Sequence, residues 1–253
     1  MNRVLFLSGG AREQTLSYLL KNKIDIICVV TPFPTKENNR FSNVVKIAEQ
    51  NSIPVEYVNR ENLYSVVKKY NADILLSCGF SFVIPHEVII SFKYAINVHP
   101  TLLPKYRGYR SGPYILINGE KESGVTVHFL TEELDKGDII LQEKFEVSVF
   151  DTPQSMKRKT DNCEKDAVLN ALKILEEEKF TCKKQDERLS STYNYMRTPK
   201  DSEIDWKQPL ESLYNQIRAC DPEKYPAFFY VNGEKVCIKL WRENKPEDEN
   251  DMI

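Results

Sequence analysis

Long apolar runs are missing from this 253-residue chain. No stretch approaches the roughly 18 consecutive apolar residues of a membrane-spanning helix, so no membrane association is expected. A charge excess is missing too. Lys and Arg number 35 against 37 Asp and Glu, for a formal net charge of −2. That balance argues against nucleic-acid binding, which usually needs a basic surface, although a local basic groove stays open. Histidine is scarce, with His86, His99 and His128 only, and none of the six cysteines forms a C-x-x-C pair. A zinc site is therefore not expected, and Cys28, Cys78, Cys163, Cys182, Cys220 and Cys237 read as buried free thiols. The apolar start at Val4-Leu5-Phe6-Leu7 meets Gly9-Gly10 too soon for a signal peptide, which points to a cytoplasmic protein.

What remains is ordinary globular composition, 41% hydrophobic and 28% charged, long enough for one α/β domain with an appendage. Short apolar runs at 4–7, 24–30, 55–58, 74–78 and 95–99 read as strands. Between them, 12–20, 41–49 and 61–70 carry apolar residues three and four apart, as helices do. Nearly continuous apolar strands alternating with helices indicate a mostly parallel sheet covered on both faces. Further strands are expected at 124–130 and 143–149. Thr152-Pro153 pairs a capping residue with proline at the first helical position, and opens a long helix to about Glu178. A first, Rossmann-like α/β domain is thus expected over 1–180, with a polar linker at 181–191. A small α+β subdomain follows at 192–242, with a helix near 210–220 and a β-hairpin turning at Asn232-Gly233. The acidic tail at 243–253 reads as disordered.

Chemistry concentrates in two segments. Asn97 and His99 lie two apart at a strand end, so their side chains leave the same face, and Pro100 holds His99 extended. Open α/β sheets bind ligands at the carboxyl ends of their strands, where this pair falls. The second segment runs from the strand Gly124-Val125-Thr126-Val127-His128 into a loop with Asp135 and Asp138 around Gly137. Amide, imidazole and carboxylate together suit acyl or formyl transfer to an amine. A strand-end Asn-x-His is equally often structural, and Asp135 and Asp138 equally suit loop capping.

The wording of the two segments is more specific. Asn97-Val98-His99-Pro100-Thr101-Leu102-Leu103-Pro104-Lys105-Tyr106-Arg107-Gly108, followed by Gly119-Glu120-Lys121-Glu122-Ser123-Gly124-Val125-Thr126-Val127-His128 and Leu134-Asp135-Lys136-Gly137-Asp138, resembles the 10-formyltetrahydrofolate-dependent formyltransferases. The resemblance covers most of residues 1–180 and implies a Rossmann-like catalytic domain. It also implies N10-formyltetrahydrofolate as co-substrate without a metal, and Asn97, His99 and Asp135 as catalytic residues. It places the folate pocket at Phe80, Ser81, Phe82, Val83, Ile84, Leu102, Leu103 and Asp138.

Within that family the acceptor amine separates the branches. Methionyl-tRNA is disfavoured because the loop at 31–40 holds two basic residues and one acid, and the net charge is negative. Glycinamide ribonucleotide is disfavoured because Ser8-Gly9-Gly10-Ala11-Arg12 departs from that branch's phosphate loop, although Gly9, Gly10 and Arg12 at a helix N-terminus still suit a phosphate. The segments Tyr195–Trp206, Ile217–Ala219 and Tyr225–Phe229 resemble the extension of enzymes that formylate nucleotide-linked amino sugars. The resemblance therefore implies such a sugar as the partner, with a dTDP-4-amino-4,6-dideoxyhexose such as the glucose form preferred. The 3-amino isomer and UDP-4-amino-arabinose stand behind it, and surface polysaccharide or O-antigen synthesis is the implied setting. Lys105 and Arg197 are the candidates for the pyrophosphate, Arg107 is a further substrate-binding candidate, and Trp206, Tyr225 and Phe228 are candidates for stacking on the base, with core packing the competing role of each aromatic. A homodimer through the hairpin is expected, and a non-catalytic folate or nucleotide-sugar binding module is the alternative from another class.

Overall fold

The computed structural model describes residues 2–108, 112–191, 197–221, 223 and 225–245. Residues 192–196, at the start of the expected subdomain, and 246–253 of the expected acidic tail lie outside the described residues.

Five short apolar runs form parallel strands: β1 (Val4–Leu7), β2 (Ile26–Pro32), β3 (Val55–Val58), β4 (Ile74–Cys78) and β5 (Tyr94–His99). Two longer strands, β6 (Glu122–Phe129) and β7 (Ile139–Glu146), extend the same sheet antiparallel. The order is β3-β2-β1-β4-β5-β6-β7. The chain reverses direction across the sheet between β1 and β4, so the carboxyl ends of β1, β4 and β5 share one edge. Helices α1 (Glu13–Lys21), α2 (Ser42–Gln50), α3 (Leu63–Val67), α4 (His86–Ile89), α5 (Gly112–Ile117) and α6 (Pro153–Ile174) connect or cover the strands.

Two apolar layers account for the packing. Val4, Phe6, Leu76, Ile96, Val125 and Val127 meet the buried faces of α1, α2 and α6. On the other side Leu5, Leu7, Leu75 and Ala95 meet α3 and α4. Alternate residues of one strand thus feed opposite cores, as the period of two requires.

The differences from the sequence reading have local causes. The third helix is shorter than its apolar periodicity suggests, because N–H groups of Lys69 and Tyr70 bond three residues back and close it as a tight turn. The long helix ends at Ile174 for the same reason, at Glu176 and Glu177. Its start is as expected: Thr152 accepts from Ser155 N, and Ser155 Oγ accepts from Thr152 N at 2.9 Å. The strand expected at 143–149 begins four residues earlier, as soon as the chain leaves the 131–138 loop. Not every cysteine is buried: Cys28, Cys78 and Cys220 are, Cys163 and Cys182 are half-buried, and Cys237 is exposed.

Beyond α6 come α7 (Leu210–Arg218) and the antiparallel hairpin β8 (Ala227–Val231) and β9 (Glu234–Ile238). Asn232 and Gly233 both have positive φ, 49° and 83°, as a two-residue hairpin turn demands. This region grips the loop before α6. Tyr214 Oη donates to the Val149 carbonyl at 2.6 Å, Arg218 to the Ser148 carbonyl at 2.6 Å, and Arg242 to that of Phe150. No described helix is long and apolar enough to cross a membrane.

Candidate active site

Strand register builds the site. In β4 and β5, Ser77 pairs with Asn97; in β5 and β6, Asn97 faces His128 and His99 faces Thr126. Directly paired residues share a face, so Ser77, Asn97 and His128 form one polar row across three strands. His99, Thr126 and Gln142 of β7 form the next row.

The first row is a directed hydrogen-bond chain. Ser77 Oγ donates to Asn97 Oδ1 at 2.8 Å, and Asn97 Nδ2 lies 3.2 Å from His128 Nε2. His128 Nδ1 lies 2.8 Å from the Phe129 carbonyl, which can only accept, so Nδ1 carries the proton and Nε2 accepts from Asn97. Burial pushes the His128 pKa down and His99 adds to that, while Asp135 opposes it. The ring is therefore neutral, as its acceptor role requires. One Asn97 N–H is engaged by His128, and the amide has a second to offer.

The second row shapes the loop that follows β5. Thr126 Oγ1 donates to the Thr101 carbonyl at 2.7 Å and accepts from Leu103 N at 3.1 Å. Gln142 Nε2 donates to the Leu103 carbonyl at 2.8 Å. Leu103-Pro104 is a cis peptide. Gly124 lies against this loop, where a Cβ would stand 2.1 Å from the Glu143 carbonyl oxygen and 2.7 Å from Leu102 Cδ2, so only glycine fits.

His99 is 5% exposed and Asp135 7%. His99 Nδ1 lies 3.3 Å from Asp135 Oδ2, and Nε2 lies 2.8 Å from the Tyr106 carbonyl. Both ring nitrogens thus face oxygen, the arrangement that satisfies an imidazole holding two protons. Asp135 Oδ2 also accepts from Gly108 N at 2.9 Å, and its Oδ1 stands 3.7 Å from His128 Nε2. Asp135 sits at φ 55° and Tyr106 at φ 61°, left-handed conformations that cost about 1 kcal/mol or more outside glycine.

The remaining expected residues fall into three groups. At the carboxyl end of β4, Phe80 and Phe82 are half-buried with rings edge-to-face at 5.2 Å, Ser81 and Val83 are exposed, and Ile84 is buried. Leu102 is half-buried and Leu103 buried, while Asp138 gives its carbonyl to Phe129 N. His86, on α4, pairs with Glu132 at 3.1 Å, so the segment after β4 and the 131–138 loop adjoin. Gly9 N donates to the Gly79 carbonyl at 3.1 Å, drawing the loops after β1 and β4 together, and Gly10 follows it.

In the second group are basic side chains already engaged by the protein. Arg12 pairs at 3.2 Å with buried Glu164 of α6, which also accepts from Thr15 at 2.7 Å; that carboxylate raises the Arg12 pKa. Arg107 is buried, with Gln185 and Glu187 on its guanidinium. Lys105 meets Glu120 at 3.1 Å, and Arg197 donates to the Ala219 and Asp201 carbonyls. The third group is aromatic: Trp206 is 70% exposed and Tyr225 38%, whereas Phe228 is buried with Lys235 Nζ 3.9 Å from its ring centroid.

Reading the sequence singled out Asn97, His99 and Asp135, which the fold brings together, but placed neither Ser77, His128 nor Gln185 in a role. His128 had a visible signal, its place in the strand beside the Asp135 loop. Ser77 and Gln185 had none.

Fold and site suit an α/β transferase of small acyl groups. The chain belongs to the formyl transferase family and is a formyl-transferring enzyme: residues 1–172 match the formyl transferase family and residues 197–252 its C-terminal domain. Methionyl-tRNA formyltransferase of Caldanaerobacter subterraneus subsp. tengcongensis is 30% identical over 238 residues, 90% of this chain and 75% of that protein. Among solved structures, a 4-N formyltransferase from Francisella tularensis superposes with TM-score 0.77 at 22% identity, covering 96% of this chain and 98% of that one. The N-formyltransferase from Helicobacter canadensis, in complex with folinic acid and dTDP-3-aminofucose, superposes with TM-score 0.70 at 22% identity, covering 96% and 89%.

Proposed function

We propose that this enzyme transfers the formyl group of N10-formyltetrahydrofolate to the amine of a nucleotide-linked amino sugar, with a dTDP-4-amino-4,6-dideoxyglucose-type acceptor preferred. The observation that carries the chemistry is the directed chain Ser77–Asn97–His128, which turns the Asn97 amide so that one N–H remains for an oxyanion. His99 accepts the proton as the amine attacks the formyl carbon. The Asp135 carboxylate, 3.3 Å from Nδ1, stabilises the imidazolium that results. The amine enters on the Nε2 side, taking the place of the Tyr106 carbonyl. Asn97 donates to the formyl oxygen as charge builds there. The new C–N bond forms, the bond to N10 breaks, and the proton on His99 passes to N10 with Asp135 holding the ring. The fit for a flat pterin rests on apolar Phe80, Phe82 and Ile84 after β4, beside the adjoining 131–138 loop.

The sugar acceptor is supported by neighbours that bind such sugars and share this chain's architecture through the C-terminal hairpin. Charge supports it as well, since Arg107, Arg218 and Arg242 are buried and Arg12 is half-buried against Glu164, all held by internal partners rather than presented to a polyanion. Arg12, neutralised by Glu164, likewise disfavours a ribonucleotide phosphate at Gly9-Gly10. Identity to methionyl-tRNA formyltransferase favours methionyl-tRNA as the second reading. A panel of nucleotide amino sugars, glycinamide ribonucleotide and methionyl-tRNA, each incubated with N10-formyltetrahydrofolate, separates them by mass gain of one formyl group. Formylation of the tRNA with none of the sugars overturns the sugar assignment.

A cytoplasmic setting and a two-fold dimer through the hairpin belong to the same reading, the dimer supported by exposed Tyr230, Val231 and Val236. Sedimentation should show a dimer at micromolar concentration; monomer alone discards that interface.

A further inference from the structure

Residues 181–191 read as a linker, and they fall between the stretches matched by the two family domains, 1–172 and 197–252. In the fold they cross the active site. Lys183 exchanges two 2.8 Å backbone bonds with Ile139, anchoring the segment at the start of β7. Two residues on, Gln185 Nε2 donates to the carbonyls of Asp135 and Gly137, both at 2.8 Å. Its Oε1 accepts from Arg107 Nη2 at 2.7 Å and Nε at 3.2 Å. Glu187 takes the other side of the Arg107 fork, with two contacts of 2.8 Å. Ser191 accepts from Tyr106 N through Oγ at 2.8 Å and from Arg107 N through its carbonyl at 2.9 Å.

These contacts reach both partners of His99. One is the carboxylate of Asp135, whose left-handed backbone needs outside support. The other is the 104–108 loop carrying the Tyr106 carbonyl. The far side of the Asp135 loop is already fixed, because a Cβ on Gly137 would stand 1.8 Å from the Phe129 carbonyl oxygen. Gln185 supplies the hold on the near side. Its amide is planar, so donors on Asp135 and acceptor on Arg107 are set by one orientation.

We propose that Gln185 is a positioning residue for formyl transfer: it sets the backbone of Asp135 against His99 and, through Arg107, ties that setting to the loop that faces His99 Nε2. The inference rests on the assignment of Asn97, His99 and Asp135 made above. Neither matched domain contains it, so the segment joining them is part of the catalytic apparatus.

The test compares Gln185→Glu and Gln185→Leu with wild type and with Arg188→Ala, whose side chain meets Asp186 on the same segment. Gln185→Glu keeps an oxygen for Arg107 and removes both donors to the loop. Tetrahydrofolate release is followed with the acceptor identified from the panel. Both Gln185 variants should lower kcat on the order of tenfold to a hundredfold, as small misplacements of catalytic groups do. KM for donor and acceptor should change less than about twofold on the same reasoning. The pH–rate profile should shift, because the Asp135–His99 geometry changes, while Arg188→Ala matches wild type. A wild-type enzyme that formylates no acceptor overturns the assignment on which the inference rests. An active wild type with Gln185→Glu equal to Arg188→Ala in kcat and pH profile, or impaired only through a lowered Tm, overturns the inference itself.

Discussion

Strands β3, β2 and β1 feed apolar side chains to both cores, whereas two polar rows cross one face of β4 to β7, the first starting at Ser77 of β4. Both regions are buried, and their stability has different origins. In the parallel half, burial contributes in proportion to apolar area, and another apolar residue of similar volume serves nearly as well. In the polar rows, burial is tolerated because each group has partners: Thr126 has three, Asn97 two and His99 two. Those partners also fix orientation. The parallel half is therefore specified by volume, and the antiparallel half by hydrogen-bond direction. A fold that needs a catalytic amide turned one way gains that direction where a strand pairs antiparallel, since facing residues then share one face at short range.

This contrast can be broken by substituting one residue in each half and measuring both stability and rate. Phe6, fully buried in β1, should dominate stability: Phe6→Ala is expected to cost about 4 kcal/mol in urea unfolding, with kcat per folded molecule nearly unchanged. Asn97→Ala should act mainly on rate, lowering kcat about a hundredfold or more through loss of an oxyanion donor, while unfolding loses about 1–3 kcal/mol because buried Ser77 and His128 each lose a partner. A Phe6 variant that loses turnover while folded, or an Asn97 variant that merely unfolds, would show that the halves do not divide their work in this way.

The same contrast explains what was legible beforehand. β1 and β4 match their apolar runs residue for residue, because a strand buried on both faces writes its limits in hydrophobicity. Asn97 and His99 were visible because a strand end with period two needs no partner to define a face. Their ring of support was not. Ser77 lies within an apolar run and looks like an interruption of it. His128 acquires its role from facing Asn97 across an antiparallel pair whose register no local pattern states. Gln185 stands fifty residues from Asp135 in a polar segment, where the absence of apolar periodicity reads as linker. The left-handed backbones of Tyr106 and Asp135 carry no glycine to announce them. Arg107 reads as a substrate-binding candidate in the sequence, and burial beside Glu187 gives its charge an internal partner.

The smallest expected effect sharpens the comparison most, because it asks whether a polar row depends on protonation in a way an apolar layer does not. Burial, the largest influence on His128, lowers its pKa from 6.5 to about 4. Between those values the unfolded chain binds a proton at this position and the folded chain does not, so this contribution to stability falls as pH falls; above 6.5 it is fully present. The decline should be on the order of 1 kcal/mol per pH unit, since one pKa unit corresponds to about 1.4 kcal/mol. Other groups titrate in the same range, so the measurement is a difference: urea unfolding of wild type and His128→Asn from pH 7 to pH 4. The Asn variant lacks this titration, and wild type should lose its advantage over it as the medium acidifies. Curves that stay parallel would mean that folded His128 binds its proton as readily as the unfolded chain does. Its Nε2 would then not be a dependable acceptor for Asn97, and the orientation of the catalytic amide would have to come from Ser77 alone.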